Sequence, residues 1–327
     1  MPTMTLIEAV LSAMDEELAR DPRVFITGED VGQRGGVFRA TQGLYAKYGG
    51  ARVIDSPLAE LSIVAIGIGA ALAELRPICE IQFADFIHPA FNQIVNEAAR
   101  FYYRSNGTWR VPLVIRAPYG GGISGGLYHS QSIEAFFAHV PGLKVVVPST
   151  PYDAKGLLKS AVRDPNPVLF LEPKKGYRAI KGEVPDGDYT VPIGEARIAR
   201  PGRDLTVYAY GMMAHYSERA ADMVAREGID AEVVDLRTLL PLDKRTVLES
   251  ARKTGKVLIV YEDNLTMGFG AEVAALIADE AFESLDAPIK RLAAPDVPGV
   301  PFAHTMQEFY MPNPNTIADA IRDLAAY

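Results

Sequence analysis

Apolar residues recur along the chain with two alternating periods. Leu6, Val10, Ala13, Met14 and Leu18 follow at helical spacing behind the capping box Thr5-Leu6-Ile7-Glu8, and Pro22 ends the run, which predicts an opening helix. Val24-Phe25-Ile26-Thr27 is a short continuous apolar run of the kind a buried strand makes. The alternation continues with a short helix over 41–48, a strand over 52–54, an apolar helix opening at Ser56-Pro57 and a strand over 76–83. A long helix over 84–103 is carried by Phe86, Ala90, Ile94, Glu97 and Phe101, and a strand follows over 111–116. Beyond a glycine-rich loop, residues 143–147, 152–163 and 168–171 predict strand, helix and strand. Residues 174–192 lose the periodicity, carry Lys174-Lys175 and Glu183-Val184-Pro185-Asp186-Gly187, and read as a linker. A second run then alternates a strand over 205–211, a helix to Glu227, a strand over 231–236, a helix over 243–254, a strand over 256–262, a helix after Gly268-Phe269-Gly270 and a closing helix over 316–326. Such alternation predicts parallel sheets covered by helices on both faces, hence an α/β protein of two three-layer α/β domains.

Composition narrows the classes. The 327 residues are 48% hydrophobic and 23% charged, ordinary for a globular chain of about two domains. A net charge of -8 argues against nucleic acid as a partner, although an acidic chain can dock on a basic protein patch. The single cysteine, Cys79, lies in a strand-like run and reads as a small core residue; one cysteine excludes an internal disulfide and fits a reducing compartment. Residues 1–21 lack the basic start and apolar block of a signal peptide, and no apolar run reaches membrane-spanning length. The expectation is a cytoplasmic protein with no membrane partner.

Candidate chemistry centres on Glu60, an acid inside the apolar stretch 55–69 among Leu58, Leu61, Ile63, Val64 and Ile66. Ser56-Pro57 is a good helix start, so an acid in the first turn gains from the helix dipole. Glu60 nevertheless falls four residues after Ser56, where a capping box puts its acid three after the cap. An ionised carboxylate in apolar surroundings needs a partner or a raised pKa, so a functional role stands beside the capping one. Glu29, in the strand-end loop Gly28-Glu29-Asp30-Val31-Gly32, is a solvated acid or a ligand group of the kind α/β folds gather there. Phe86 is a core residue or a ring face for a bound heterocycle.

The loop over 118–131 has the most unusual composition. Gly120, Gly122 and Gly125 match G-x-G-x-x-G, but no helix opens at Leu127 and no acid follows at the required distance, so a dinucleotide site is rejected; the Gly-Lys-Ser/Thr of a phosphate loop is also missing. His129, at the far end, is a structural histidine or an acid, base or donor near neutral pH. Glu262-Asp263-Asn264 reads as a strand-end loop.

Taken together, Gly28 to Gly32, Asp55 to Glu60, Glu80-Ile81-Gln82-Phe83-Ala84-Asp85-Phe86, Leu127-Tyr128-His129-Ser130-Gln131-Ser132, residues 143–147 with Pro151 to Leu158, and Asp235-Leu236-Arg237-Thr238 resemble a known family. It is the beta subunits of thiamine-diphosphate-dependent 2-oxoacid dehydrogenases, and the branched-chain (2-oxoisovalerate) members are the most similar. The resemblance covers essentially the whole chain. It implies a pyrimidine-binding thiamine-diphosphate fold over 1–190, a linker over 191–203 and a transketolase-like C-terminal domain over 204–327.

The resemblance also implies roles. Glu60 matches the glutamate that shares a proton with the ring nitrogen of the cofactor's aminopyrimidine, and Phe86 matches the aromatic that stacks on that ring, where relatives often carry Tyr. Glu29, Leu58 and Gln82 line the same pocket, Glu29 as a proton-network partner, and His129 matches an active-site histidine that faces the incoming lipoyl arm. Asp164 and Asn166, with backbone oxygens at Leu113, Ala161 and Val162, match a structural potassium site. The Gly-Asp-Gly and Asn-Asn motif that holds magnesium and the pyrophosphate is absent, since Asp186-Gly187-Asp188 has the wrong order. An alpha subunit is therefore expected to supply magnesium, in an alpha2-beta2 heterotetramer that serves a lipoyl-bearing acyltransferase core. The expected activity is oxidative decarboxylation of a branched-chain 2-oxoacid with acyl transfer to lipoamide; pyruvate or acetoin is the alternative substrate. A non-catalytic scaffold for an alpha partner and a nucleotide-binding oxidoreductase are the rivals from other classes.

Overall fold

The capping box at Thr5 forms: the Glu8 N–H donates to Thr5 Oγ1 at 3.4 Å and the Thr5 N–H to Glu8 Oε2 at 2.7 Å. It starts α1 (Leu6–Arg20) directly after a short strand, β1 (Thr3–Thr5). The computed structural model describes residues 1–327, which divide into one unit of residues 1–119 and 136–193 and another of residues 120–135 and 194–327.

In the first unit β2 (Val24–Gly28), β3 (Val53–Asp55), β4 (Arg76–Glu80), β5 (Val114–Tyr119), β6 (Lys144–Val146) and β7 (Val168–Pro173) pair in parallel, in the order β6-β7-β5-β4-β2-β3. Strands β2, β5 and β7 are buried at every residue, as strands covered on both faces must be. The helices are α2 (Leu44–Tyr48), α3 (Glu60–Leu72), α4 (Phe101–Arg104) and α6 (Pro151–Arg163), and α1 lies along α6. Between them α5 (Glu134–Ala138) spans the sequence boundary of the two units. The unit ends with α7 (Gly176–Ala179) and β8 (Lys181–Glu183), which pairs antiparallel with β1.

Helix α3 is pressed onto β4 at one point. A Cβ on Gly67 would lie 2.5 Å from Cys79 Sγ, so only glycine allows that approach. The thiol is fully buried, its pKa pushed up to about 12 by burial, and it donates to Ile63 O at 3.4 Å. This contact fixes the helix that begins at Glu60.

The second unit holds β9 (Arg197–Arg200), β10 (Leu205–Ala209), α8 (Met212–Ala225), β11 (Ala231–Asp235), β12 (Thr238–Leu240), α9 (Lys244–Thr254), β13 (Val257–Asn264), α10 (Gly270–Glu280), β14 (Lys290–Ala294), α11 (His304–Tyr310) and α12 (Pro314–Ala325). Its sheet runs β14-β13-β10-β11-β9, parallel except for β9, and α12 lies along α8.

Two stretches differ from the sequence reading. The long helix expected over 84–103 is broken into 3-10 turns at Ala84–Phe86 and His88–Ala90, a π-helical stretch at Gln93–Ala98 and the short α4. Pro89 lies in the first turn of the second piece; it lacks an N–H and restricts His88, which stops one continuous ladder. The π-helical stretch closes with the Ala99 N–H on Ile94 O at 3.0 Å. The stretch read as structureless linker carries α7 and β8, and beyond it β9, a short edge strand whose arginines are half-exposed; such edges show no apolar alternation.

Candidate active site

Because β3, β2 and β4 are neighbours, the residues that follow their carboxyl ends gather together, and ligands of parallel α/β sheets bind outside those ends. Glu29 follows β2, Leu58 and Glu60 follow β3, and Gln82 and Phe86 follow β4. Gln82 Nε2 donates to the Glu29 carbonyl at 3.3 Å, and the Ser56 N–H donates to Gly28 O at 2.9 Å. Glu29 is buried; burial pushes its pKa up, and the negative charges of Glu60 and Asp30 push it further.

Glu60 is the first residue of α3 and half-buried. The cap expected from Ser56 does not form: the N-cap is Ala59, with no side-chain bond, and the Ser56 hydroxyl donates to Pro57 O at 2.8 Å. The amides of Ser62 and Ile63 are satisfied by Ala59 O. The Glu60 carboxylate therefore stands at the helix's positive end without a capping task. Leu58 is 81% exposed, and along α3 Leu61 and Ile66 are exposed as well. Phe86, on a 3-10 turn rather than a helix, meets Phe83 edge-on with centroids 5.5 Å apart, and Phe83 meets Phe38 at 5.2 Å. The result is a carboxylate at a helix start whose charge reaches a buried second acid, with an aromatic pair following the neighbouring strand end.

The Phe38 ring also meets Tyr177, with centroids 5.2 Å apart, and Tyr177 belongs to a charge cluster the sequence reading did not single out. Arg116 binds Glu172 through two bonds of 2.6 and 2.8 Å and Glu80 through one of 2.6 Å, and the Tyr177 hydroxyl donates to Glu172 at 2.5 Å. None of the four is appreciably exposed. Two carboxyls face one guanidinium, so one negative charge is left over, and burial raises the pKa of Glu80. The signal in the sequence was an arginine inside an apolar strand, with an acid at the end of one neighbouring strand and one residue before the end of the other.

His129 belongs to the second unit, in residues 120–135. It follows a 3-10 turn at Gly126–Tyr128 and is half-buried. The loop is closed by the Gly120 N–H on Gln131 O at 2.9 Å, and Gln131 Nε2 reaches Leu127 O at 3.1 Å.

The residues matched to potassium are neighbours at the end of α6. Asp164 accepts from Lys144 Nζ at 2.6 and 2.7 Å and from the Asn166 N–H at 2.8 Å. Val162 O accepts from Arg76 at 2.7 Å, Ala161 O from the Asp164 N–H, and Leu113 O from the Val168 N–H. Asn166 Oδ1 is buried with no hydrogen-bond partner. Lysine already balances the Asp164 charge, while the orphaned amide oxygen is an acceptor of the kind a hard cation takes.

Comparison with known proteins adds the wider setting. Residues 2–179 match the transketolase pyrimidine-binding domain and residues 194–317 the transketolase C-terminal domain. The chain is 57% identical over 327 residues to the 2-oxoisovalerate dehydrogenase subunit beta of Bacillus subtilis, covering 100% of both. It is 46% identical over 325 residues to the pyruvate dehydrogenase E1 component subunit beta of Acholeplasma laidlawii, covering 99% of both. A solved structure described as a split gene transketolase, inactive beta4 tetramer, superposes with a TM-score of 0.80 at 25% identity, over 99% of this chain and 98% of that one.

Proposed function

Because the chain belongs to the transketolase-like beta subunits of the thiamine-diphosphate-dependent 2-oxoacid dehydrogenases, we propose that it is the beta half of an enzyme that oxidatively decarboxylates a branched-chain 2-oxoacid and transfers the acyl group to lipoamide. The observation that carries the reading is the placement of Glu60 at a helix start within electrostatic reach of the buried Glu29, with the Phe86–Phe83 ring pair following the neighbouring strand end. When bound, thiamine diphosphate supplies an electron sink for the carbanion left as a 2-oxoacid loses carbon dioxide.

The residues fit a heteroaromatic ring with a basic nitrogen. The Phe86 face would stack on it, with Leu58 and Gln82 completing the walls. Glu60 would share a proton with the ring nitrogen, a task suited to a half-buried carboxyl with an uncommitted position at the helix end. Glu29, its pKa raised by burial and by the charge of Glu60, would be the proton-network partner of Glu60. His129 would donate or orient a proton during acyl transfer to the lipoyl arm. The exposed apolar side chains Leu58, Leu61 and Ile66 are surface of the kind a partner subunit covers.

That partner would be an alpha subunit that brings magnesium and the pyrophosphate site, in an alpha2-beta2 assembly docked on the acyltransferase core, in the cytoplasm. Potassium would sit at Asn166 Oδ1 and Asp164 with the carbonyls of Leu113, Ala161 and Val162, as a structural ion. The branched-chain substrate is preferred over pyruvate because the identity is 57% to the 2-oxoisovalerate relative and 46% to the pyruvate relative.

Titration calorimetry on the lone chain and on its complex with the alpha partner tests the reading. Thiamine diphosphate binding only in the complex, with faster turnover of 2-oxoisovalerate than of pyruvate, is the expected result. Tight binding of a nicotinamide dinucleotide by the lone chain would overturn it.

A further inference from the structure

Residues 120–135 are fastened to the rest of the second unit near both ends, each time through a carboxyl group. The Gly121 N–H donates to Glu262 Oε1, at the end of β13. The Tyr210 hydroxyl, just beyond β10, donates to Glu134 Oε1 at 2.9 Å. Between these points Gln307 Nε2 donates to Ser124 Oγ at 3.0 Å, and the Phe302 ring lies so close to Gly126 that a Cβ there would be 2.2 Å from it. The histidine of the proposed reaction, His129, rides in the middle of this strap.

Glu134 is fully buried, and its second oxygen, Oε2, has no hydrogen-bond partner. The titratable groups that face it are Asp263 and Glu262 from β13 and Tyr210 from beyond β10; Tyr310 of α11 faces the same two acids. An ionised Glu134 would be a further buried negative charge among acids. A proton on the orphaned Oε2 removes that conflict while Oε1 continues to accept from Tyr210.

The geometry points to Glu134 as a positioning residue: its neutral carboxyl latches the loop that carries His129 onto the rest of the second unit, and its ionisation releases the loop. The electrostatics agree. Burial and then the charge of Asp263 push the Glu134 pKa from 4.5 to about 8, and burial pushes Asp263 to about 6. The seated loop binds a proton that a lifted loop releases, so seating is strongest below the ordinary glutamate range and weakens as pH rises to about 8. One proton changes the opening equilibrium by at most about tenfold per pH unit within that window.

The role of His129 in acyl transfer rests on the function proposed above; the latch itself does not, and its test involves no turnover. Hydrogen exchange of the full chain is measured on peptides spanning 120–133 between pH 6 and 9, with the intrinsic pH dependence of exchange divided out. Opening in the wild type should rise toward tenfold per pH unit and level off above about pH 8. Glu134→Gln should flatten the profile. Tyr210→Phe, which keeps the carboxyl, should raise opening at every pH and retain the slope. A flat wild-type profile, an unchanged slope in Glu134→Gln, or a lost slope in Tyr210→Phe would each overturn the proposal.

Discussion

The Gly32 N–H donates to Asp55 Oδ1 at 2.6 Å, which ties the loop after β2 to the end of β3. A Cβ on Gly32 would lie 2.5 Å from Asp55 Oδ2, so glycine is what lets the carboxylate reach the amide. The bond sets the spacing between the Glu29 loop and the approach to Glu60. Gly32→Ala should cost about 1–3 kcal/mol of stability, the usual range for overpacking. It should also weaken thiamine diphosphate binding in the complex. Denaturant unfolding and calorimetry check the two effects, and a variant unchanged in both would remove the bond from the site's architecture.

The Arg116 cluster predicts a pair of unequal variants. Arg116→Met strands two buried carboxyls and should cost about 3–5 kcal/mol, the range for removing one partner of a buried ion pair. Glu80→Gln should cost much less, because burial already favours the protonated acid and the amide resembles it. Equal losses in urea unfolding would mean that Glu80 is fully ionised.

Glu60→Gln should lower decarboxylation by at least about a hundredfold, the scale of a lost acid–base group, with the assembly intact. It should also move the Glu29 pKa down, since the charge of Glu60 is one cause of its rise. Single-turnover decarboxylation and the carboxyl infrared band of Glu29 report the two effects separately. Wild-type turnover would falsify the proton role.

His129→Ala should impair transfer to a lipoyl domain more than reduction of an artificial acceptor. Equal losses in the two assays would count against a role in acyl transfer.

Asp21 gives a pH signature far from the site. Its pKa is lowered from 3.8 to about 2, chiefly by the Arg23 side chain, whose guanidinium lies 2.8 Å away. A lowered acid stabilises the fold above its unfolded pKa, and that contribution is lost as pH falls through the folded value. The stability difference between wild type and Asp21→Asn should therefore be constant at neutral pH and shrink between pH 3.8 and about 2. Urea titrations across that range measure it, and a gap that persists at the acid end would assign the effect to packing.

The alternation of apolar periods made β2, α3, β4, α6 and β7 visible, and the capping box marked the start of α1 to the residue, because those signals are local. The break at Pro89 was masked by Phe86, Ala90 and Ile94, whose spacing suits a helix whether or not the backbone follows one. Ser56 looked like a cap, yet its hydroxyl donates to Pro57 O and the helix starts only at Glu60, behind Ala59. The neighbours of Glu60 were not readable from spacing, since they come from three different strand ends. The partners of Arg116 and Glu134 lie 36 to 76 residues away, beyond any periodic pattern.

The connection leaving β2 runs to β3 on one side and the connection leaving β4 runs to β5 on the other, so the two diverge and leave a cleft between the carboxyl ends of β2 and β4. The cleft is thus a product of winding direction, while its lining comes from loops that the sheet does not need. Substitutions there can change which molecule is held, and leave the architecture that holds it unaltered.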